Sequence, residues 1–550
     1  MMAKRSKTPS TRRTFALTGL SVLMSAGMSL AGASAALAKT APAASQAKIH
    51  FRMMDWQGQD AYTTAYNNMI RAYEKLHPNI SITQVFVPQG TGYESLLQTG
   101  YLAGSAPSLV ELQQPNYETF YNDGYLVNLN SYMVRPTPYS HGTPWINTFL
   151  GGPTGFQSIQ EGNQAGAINV VPVDGDGNGP ASWLGFYVNL NILHKSGIKN
   201  VPTTYTQFLA DCAKIKKAGY TPIVADNNRW LAWIWYTLGA QMGNGYAAKF
   251  FPKKYAVPLL APDEWAVAIL DGKINAKDPL DMSMAKIAKS LVPYFQSGWV
   301  GTTISEGKTL WMAGGGAFRM TGSWNYGWYK QNVKGFKFKV LGWPVYVLPK
   351  TASPYADQAW VKSGGQITSG WSVNAKLLKD PAKLRAVINF LQYATSRSAQ
   401  RAFSPAANSF PEVSGVPIPS AYKPFVLPNT ADTLAAPAST ASPNAPPLMQ
   451  NTTTMAALSQ EYLSGQISLH HFMTTMVSDD MPYLRTEFEN TIFNAKTGLP
   501  AQIKADMATL QQDEREHAAK VVIQSAQQAL NLAQLRLQFY DRYALPYMKG

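Results

Sequence analysis

Alternating apolar strands and amphipathic helices dominate the chain from residue 49 onward. Between Asp60 and Leu76 the apolar residues recur at helical spacing, and His77 and Pro78 end the pattern. Short apolar runs typical of strands lie before and after this helix. The predicted strands are Ile49–Met54, Ile80–Val87, Ser108–Leu112, Phe186–Leu190 and Thr221–Ala225. Strands separated by helices predict an α/β fold with parallel strands.

Further helices are predicted between and after these strands. They cover Tyr93–Ala103, the stretch from Thr204 to Lys217, the aromatic-rich Arg229–Met242, and a long C-terminal helix over Ala501–Tyr540. Thr204 and Gln207 have the spacing of a capping box, in which each side chain accepts a hydrogen bond from the backbone near the other. The apolar residues of the C-terminal helix indicate that it packs against the preceding domain.

The segment LWMAGGGAFRMTGSW (310–324) is the most informative part of the sequence. Three glycines follow a helical stretch, and Ala317–Met320 then has strand character. The turn Gly322-Ser323-Trp324 places an aromatic residue at the carboxyl end of that strand, where open α/β sheets bind ligands. Other candidates at strand ends or turns are Asp55 and Trp56, Gln113 and Tyr117, Arg229 and Trp230, and Trp371.

The N-terminus has the features of an export signal. Residues 1–13 carry five basic residues and no acid, a run rich in small and apolar residues extends from Phe15 to Ala38, and Ala36-Leu37-Ala38 matches a cleavage site. The pair Arg12-Arg13 resembles that of a twin-arginine signal. We therefore expect residues 1–38 to be removed and the mature protein to act outside the cytoplasmic membrane. No cysteine follows the apolar run at the cleavage site, so no lipid anchor is expected there.

Composition narrows the classes of partner. The formal net charge of +15 is dispersed, and its densest cluster, Lys214 to Lys217, fits the solvated face of a helix. The sequence has no recognisable nucleic-acid motif, so nucleic acid is not expected as a partner. No segment after the leader has the ~20 consecutive apolar residues of a membrane span. The single cysteine, Cys212, excludes an internal disulfide, and about 510 mature residues suffice for two domains with hydrophobic cores.

Five groups of segments occur in the order typical of one protein family. They are MMDW (53–56) with RAYEKLHPNI (71–80), LAGSAPSLVEL (102–112), FYVNLNILHKSGI (186–198) with KKAGYTPI (216–223), the glycine–tryptophan segment with GWPVYVLP (342–349), and SGWSVNAK (369–376) with AVINFLQYATS (386–396). Over residues 49–411 the chain thereby resembles the extracellular solute-binding proteins of carbohydrate ABC importers, of the family 1, maltose-binding-protein-like type. It departs from the family pattern at Ser108, where an acid is usual, in a Gly/Pro-rich insertion at 134–182, and in its longer C-terminus.

The resemblance implies a two-lobed periplasmic-binding-protein fold of type II, an α/β fold whose discontinuous lobes are joined by hinge strands. Lobe one is placed at 47–170 plus 366–410, lobe two at 171–365 plus 411–490, and residues 491–550 form a C-terminal helical extension. Ligand would bind in the cleft between the lobes. It would favour the closed state because it touches both lobes only there.

The implied function is that of an extracytoplasmic, periplasmic receptor that binds a sugar or oligosaccharide and delivers it to membrane ABC permease subunits. Aromatic rings can cover the apolar face of a pyranose, while Asp, Gln and Arg side chains hydrogen-bond its hydroxyl groups. The predicted ligand-binding residues are Asp55, Trp56, Gln113, Tyr117, Arg229, Trp230, Trp324 and Trp371. No catalytic residue, cofactor or metal is expected, and the expected state is a monomer.

Three alternatives stay open at this point. The same fold could bind a cationic or peptide-like solute, which would need acids such as Asp55 and Glu111 in the cleft. A secreted glycoside hydrolase would need two carboxylates whose pairing a sequence does not reveal. The run DGDGNG (174–179) matches the first half of an EF-hand calcium loop, but Gly185 occupies position 12, where that loop needs Glu.

Overall fold

The structure is a computed structural model of the chain. It describes residues 48–56, 60–88, 91–113, 116–150, 152–156, 159–160, 163, 166–174, 184–227, 238, 242–243, 246–256, 260–342, 348–356, 360–361, 367, 369–425, 433–434, 452–515 and 520–548. Within these ranges, none of the helices is both long enough and apolar enough to cross a membrane.

The described strands form three sheets. They are β1 (Ile49–Asp55), β2 (Ile80–Phe86), β3 (Leu109–Gln113), β4 (Leu184–Asn189), β5 (Phe318–Gly322), β6 (Phe338–Gly342), β7 (Trp360–Val361), β8 (Ser369–Val373) and β9 (Thr433–Leu434). The first sheet has the order β2-β1-β3-β8, the second β5-β4-β6, and the third pairs β7 with β9. In the first sheet β1 is parallel to β2 and β3, whereas β8 is antiparallel to β3.

Helices connect and cover these sheets. They are α1 (Asp60–Leu76), α2 (Thr91–Leu102), α3 (Asn116–Asn122), α4 (Asn130–Met133), α5 (Gly152–Gly155), α6 (Leu190–Lys195), α7 (Tyr205–Lys217), α8 (Ala261–Leu270), α9 (Pro279–Ser290), α10 (Ile304–Met312), α11 (Tyr326–Asn332), α12 (Pro381–Ala394), α13 (Arg397–Ala407), α14 (Thr452–Ser464), α15 (Leu469–Arg515) and α16 (Lys520–Phe539). Shorter 3₁₀ turns include Trp145–Thr148, Ala247–Phe250, Lys253–Tyr255, Ser323–Asn325, Ala375–Lys379 and Ser420–Phe425, and Tyr540–Ala544 is a π-helical turn.

Two large hydrophobic cores take their residues from separate parts of the chain. The first core, around the β2-β1-β3-β8 sheet, is built from residues between Phe51 and Val173 and between Ile367 and Ala407. The second core, around β4 and β5, is built from residues between Phe186 and Ala356 and between Leu458 and Ala544. A third, smaller cluster joins Tyr187 and Trp311 to Phe410 and Phe425.

The Gly/Pro-rich insertion at 134–182 belongs in part to the first core. Trp145, Phe149 and Phe156 are buried there, and the Trp145 indole N–H donates a hydrogen bond to Thr395 Oγ1 at 2.8 Å. Val171 pairs with Trp371 of β8 through two backbone hydrogen bonds of 2.9 and 2.8 Å. The insertion therefore does not form a separate unit in its described residues, because its apolar side chains complete the core beside the first sheet.

Most predicted elements are confirmed. The helix over Asp60–Leu76 has the predicted bounds, and β1 to β5 lie within two residues of the predicted strands. Thr221–Ala225 forms no regular strand, but Ile223 makes parallel bridges with Phe295 and Phe318. Of the helix predicted at Arg229–Met242, the structure describes Leu238 and Met242, which are helical.

The capping box at the start of α7 is confirmed in one half and shifted in the other. Thr204 Oγ1 accepts a hydrogen bond from the Gln207 N–H at 3.2 Å, as predicted. Gln207 Oε1 accepts instead from the N–H and hydroxyl of Thr203, at 2.9 and 2.8 Å. The Gln207 side chain reaches Thr203, the residue before the cap, and accepts hydrogen bonds from two donors there.

Two sequence predictions are wrong. The expectation of parallel strands holds for β1, β2 and β3 but fails for β4, which is antiparallel to both β5 and β6. In place of the single helix expected over 501–540, the structure describes the end of α15 and the whole of α16, two helices that pack on each other. Apolar residues of these helices such as Leu510 and Leu530 are buried, which one isolated helix would leave in water.

Candidate functional site

Several candidate residues meet at one edge of the first sheet. Because β1, β2 and β3 are parallel, their carboxyl ends lie together, at Asp55, Phe86 and Gln113. The antiparallel strand β8 begins at the same edge, where Ser369 pairs with Gln113. This edge, called here the first ligand edge, is where an open α/β sheet binds its ligands.

Asp55 is fully buried at this edge, and its carboxylate accepts a hydrogen bond from the Gln84 side-chain amide. Tyr93, at the start of α2, ties β1 to β3: its hydroxyl lies 3.0 Å from the Met54 carbonyl oxygen and 2.8 Å from that of Glu111. Trp56 is partly exposed and stands edge-on to the Tyr93 ring, with centroids 5.3 Å apart. Trp56 thus presents a partly exposed indole at the end of β1, one residue after the buried Asp55.

Three acidic side chains are buried beneath the first ligand edge. Asp55, Glu111 and Asp174 are all buried near Tyr66. Burial raises the pKa of Tyr66 well above its usual value, and the charges of Asp174, Glu111 and Asp55 raise it further. Tyr66 therefore stays a neutral phenol, which can donate and accept hydrogen bonds among the acids.

Two of the predicted ligand-binding side chains lie in the first core. The Trp371 indole N–H donates to Tyr66 Oη at 2.9 Å, and the Tyr117 hydroxyl donates to the Ile367 carbonyl oxygen at 3.0 Å. Both side chains are at most 1% exposed. Their described contacts are those of packing residues that support the first ligand edge, and a direct contact with ligand stays a prediction for both.

The second sheet carries Trp324 at a comparable position. β5 ends at Gly322, and the 3₁₀ turn Ser323–Asn325 leaves Trp324 partly exposed. The indole lies so close to the backbone of Gly322 that a Cβ atom at that glycine would overlap the ring. The Tyr187 hydroxyl donates to the Gly322 carbonyl oxygen at 2.9 Å, and the Asn325 amide donates to Thr321 Oγ1 at 2.8 Å. The structure thus places Trp324 at a strand end, as predicted, and the turn that bears it is held on both sides.

Arg229 and Trp230 lie outside the described residues. The segment that leads to them is described as far as Asn227, whose N–H donates to the Thr302 carbonyl oxygen at 2.8 Å. Its carbonyl oxygen accepts from the Gln460 amide at 2.6 Å. One residue earlier, Asp226 is buried and forms an ion pair with Arg319, with 3.3 Å between Oδ2 and Nη2.

The structure assembles no cation site from His, Cys, Asp and Glu over the residues it describes. Asp174 of the EF-hand-like run is buried, while residues 175–183 lie outside the description. Calcium binding by the DGDGNG run therefore stays an untested alternative.

Sequence reasoning missed several residues of the first ligand edge. Phe86 ends β2 beside Asp55 and is 47% exposed, and Gln84 hydrogen-bonds that acid. Applying the strand-end rule to the second strand would have pointed to Phe86, whereas Gln84 lies inside that strand. Tyr66, Tyr93 and Asp174 had no such signal, since helix and loop packing brings them to the edge. Gly370 enables this packing, because a Cβ there would lie 2.6 Å from the Val171 carbonyl oxygen.

Comparison with known proteins identifies the class. The model of the family "Bacterial extracellular solute-binding protein" matches residues 68–424, more than half of the chain. The protein therefore belongs to the bacterial extracellular solute-binding proteins, and the resemblance drawn from the sequence is confirmed at the level of the family. A search of curated proteins finds no match.

Solved structures share the fold. A chitin oligosaccharide binding protein has a TM-score of 0.56 at 18% identity, with 80% of this chain and 99% of that chain covered. A family 1 extracellular solute-binding protein from Bifidobacterium longum subsp. infantis has a TM-score of 0.53 at 19% identity, covering 80% and 100%. The GacH receptor of Streptomyces glaucescens, solved without ligand and with acarbose, has 0.54 at 17% identity, covering 80% and 98%. At these identities the likeness establishes the fold.

Proposed function

We propose that the protein is an extracytoplasmic receptor that binds a sugar or oligosaccharide and delivers it, chemically unchanged, to membrane ABC permease subunits. In this proposal the twin-arginine signal in residues 1–38 exports it to the periplasm, where it acts as a monomer without a lipid anchor. Membership of the solute-binding family supports the transport role. The class of ligand is supported by two structural neighbours, whose names specify chitin oligosaccharide and acarbose.

The single observation that carries the proposal is the arrangement of Trp56 and Asp55 at the first ligand edge. The partly exposed Trp56 indole packs against Tyr93, and the residue before it, Asp55, is buried with its carboxylate hydrogen-bonded to Gln84. A pyranose presents an apolar C–H face beside a rim of hydroxyl groups. The indole can cover that face, and the Asp55 carboxylate accepts a hydrogen bond from a hydroxyl once ligand binding exposes it at the edge. Trp324 offers a second accessible indole at the end of β5.

The two indoles serve one ligand if the chain forms the two lobes expected from its family. The proposed lobes are 47–170 plus 366–410 and 171–365 plus 411–490, followed by the extension 491–550. Two separate cores, each drawn from discontinuous parts of the chain, support this division. Val171 and Val173 belong to the first core, which favours a boundary after Asp174. Closure about the connecting segments would then bring Trp56 and Trp324 to opposite sides of the ligand.

The energetics are adequate for a transport receptor. Each stacked aromatic adds about 0.5–1.5 kcal/mol beyond the area it buries, and each hydrogen bond adds a net ~0.5–1.5 kcal/mol. At the upper end of these ranges, two indoles and six hydrogen bonds give about 12 kcal/mol, which leaves the ~8 kcal/mol of micromolar affinity after an association cost of about 4 kcal/mol.

One observation favours a second candidate, a cationic solute on the same fold. Asp55, Glu111 and Asp174 are buried around Tyr66, and such a concentration of carboxylates attracts an ammonium group. Neutral sugars use the same acids as hydrogen-bond acceptors, so the arrangement serves both classes. Binding experiments separate them.

The test is a thermal-shift screen of the protein from Lys39 onward, with chitin oligosaccharides, raffinose, acarbose, spermidine and amino acids. A ligand at ~100 times its Kd should stabilise the folded state by about 2.7 kcal/mol. Under the proposal a sugar raises the melting temperature, and both Trp56→Ala and Trp324→Ala abolish the rise. Trp328→Ala is the matched control, because that ring lies on the surface under Lys308 Nζ, 4.3 Å from its centroid.

Three results would contradict the sugar proposal. A rise with spermidine and with none of the sugars would favour the cationic solute. Shortened oligosaccharides after incubation would indicate a glycoside hydrolase. An equal loss of response in Trp328→Ala and Trp324→Ala would show that the effect does not arise at the end of β5.

A further inference from the structure

Arg319 is a cation in the middle of β5 with almost no access to water. Its side chain is 2% exposed, and three groups surround the guanidinium. Nε donates to Tyr329 Oη at 3.1 Å, and Nη2 donates to Asp226 Oδ2 at 3.3 Å and to the Ile304 carbonyl oxygen at 3.2 Å. Buried ion pairs are often replaceable by apolar residues without loss of stability, so stability alone does not account for this one.

Two of the three partners of Arg319 belong to the segments that carry the candidate residues of the second sheet. Asp226 lies three residues before Arg229 in the sequence. Tyr329 lies in α11, which starts directly after the turn that bears Trp324. One guanidinium therefore joins the segment leading to Arg229 and Trp230 with the helix that follows Trp324.

In the part of the chain that the structure describes, the backbone hydrogen bonds between this segment and β5 reach as far as Val224. The segment around Ile223 runs beside β5, where the Val224 N–H donates to the Phe318 carbonyl oxygen at 2.8 Å. The next residue turns to Gln296, whose amide donates to the Ala225 carbonyl oxygen at 2.7 Å and whose Oε1 accepts from the Ala225 N–H at 2.9 Å. Two residues past Val224, the ion pair between Asp226 and Arg319 links the segment to β5 through side chains.

The chain also leaves room for the guanidinium. Gly307, in α10, faces Arg319, and a Cβ atom there would lie 2.6 Å from Nη1. Any larger residue at position 307 would push the guanidinium away from its partners. The glycine thus gives a way to displace Arg319 without removing any charge.

We propose that Arg319 is a positioning residue, which holds the segment before Arg229 in register with the turn that bears Trp324 so that both reach one ligand. The inference rests on the proposed function, since it assigns both segments to the ligand site. Arg319 itself touches no ligand; it acts through Asp226 and Tyr329.

The test compares Arg319→Met/Asp226→Leu with the wild type by hydrogen–deuterium exchange without ligand, urea unfolding and binding. The double variant removes both charges and should keep the urea midpoint near that of the wild type. Under the inference, amide exchange in peptides covering 223–227 and 318–329 rises at least tenfold. The affinity for a chitin oligosaccharide or acarbose falls at least tenfold. Gly307→Ala should accelerate exchange in the same peptides.

The matched control is Arg536→Met/Asp263→Leu, which removes another buried ion pair beside the same core. It should leave exchange at 223–227 and 318–329 and the sugar affinity unchanged. Unchanged exchange in those peptides in both the double variant and Gly307→Ala would overturn the inference, as would accelerated exchange with unchanged affinity. If the double variant fails to fold, Gly307→Ala alone decides. If the wild type binds no sugar, the proposed function fails, while exchange still decides whether Arg319 couples the two segments.

Discussion

The C-terminal extension should be held to the second core by one buried polar triad, and Arg536→Met tests this. Arg536 Nε donates to Asp263 Oδ2 at 3.2 Å and to Tyr540 Oη at 2.8 Å, and the Tyr540 hydroxyl donates to Asp263 Oδ1 at 2.8 Å. The side chains of Arg536 and Asp263 are 11% and 6% exposed. Methionine keeps the apolar stem of the arginine and removes its charge, which leaves Asp263 as a buried anion.

Removing one partner of a buried pair costs about 3–5 kcal/mol of the free energy of unfolding. Because methionine preserves packing and the Tyr540 hydroxyl still donates to Asp263, we expect about 3 kcal/mol. With a urea m-value of about 3 kcal/mol per molar, the unfolding midpoint should fall by about 1 M at unchanged m. Urea titration followed by circular dichroism measures both quantities.

The control is Arg515→Met, at the end of α15. Arg515 is exposed and its Nε donates to the Gln511 carbonyl oxygen of its own helix at 3.0 Å, so its loss should change the free energy of unfolding by less than ~0.5 kcal/mol. Equal midpoints for Arg536→Met and Arg515→Met would refute the reasoning. The extension would then be held by aromatic packing, such as that of Phe539 on Phe251 with centroids 5.2 Å apart.

Two further predictions follow from buried titratable groups. Burial, and then the charge of Asp263, raises the pKa of Glu264 to about 8, so the folded state keeps a proton that the unfolded state loses. The contribution of Glu264 to the free energy of unfolding therefore falls as pH rises from about 4.5 to 8. Glu264→Gln should raise the urea midpoint more at pH 8 than at pH 5. An equal change at both pH values would contradict this prediction. Burial raises the pKa of the Cys212 thiol, so a thiol reagent should label it on unfolding; rapid labelling of the folded protein would contradict its placement.

Local patterns in the sequence determined most elements of the fold. Helical spacing predicted the bounds of α1, and apolar runs predicted β1 to β5, because these elements depend on residues close together in the chain. The turn after β5 was also local: glycine and tryptophan at 322 and 324 predicted an aromatic residue at a strand end, and the structure places Trp324 there. The order of such segments sufficed for the family.

Tertiary structure decided which residues surround the first ligand edge. Tyr66, Glu111, Asp174 and Trp371 come together there although more than 300 positions separate the first from the last. Tyr117 was selected for its place after the third strand and Trp371 for its place after a glycine turn, and both side chains are buried in the first core. No local pattern reveals which side chains distant parts of the chain will cover. The direction of β4 and the packing of α15 on α16 were decided in the same way. Each depends on apolar surfaces contributed by distant parts of the chain, whereas spacing along the sequence reports only on near neighbours.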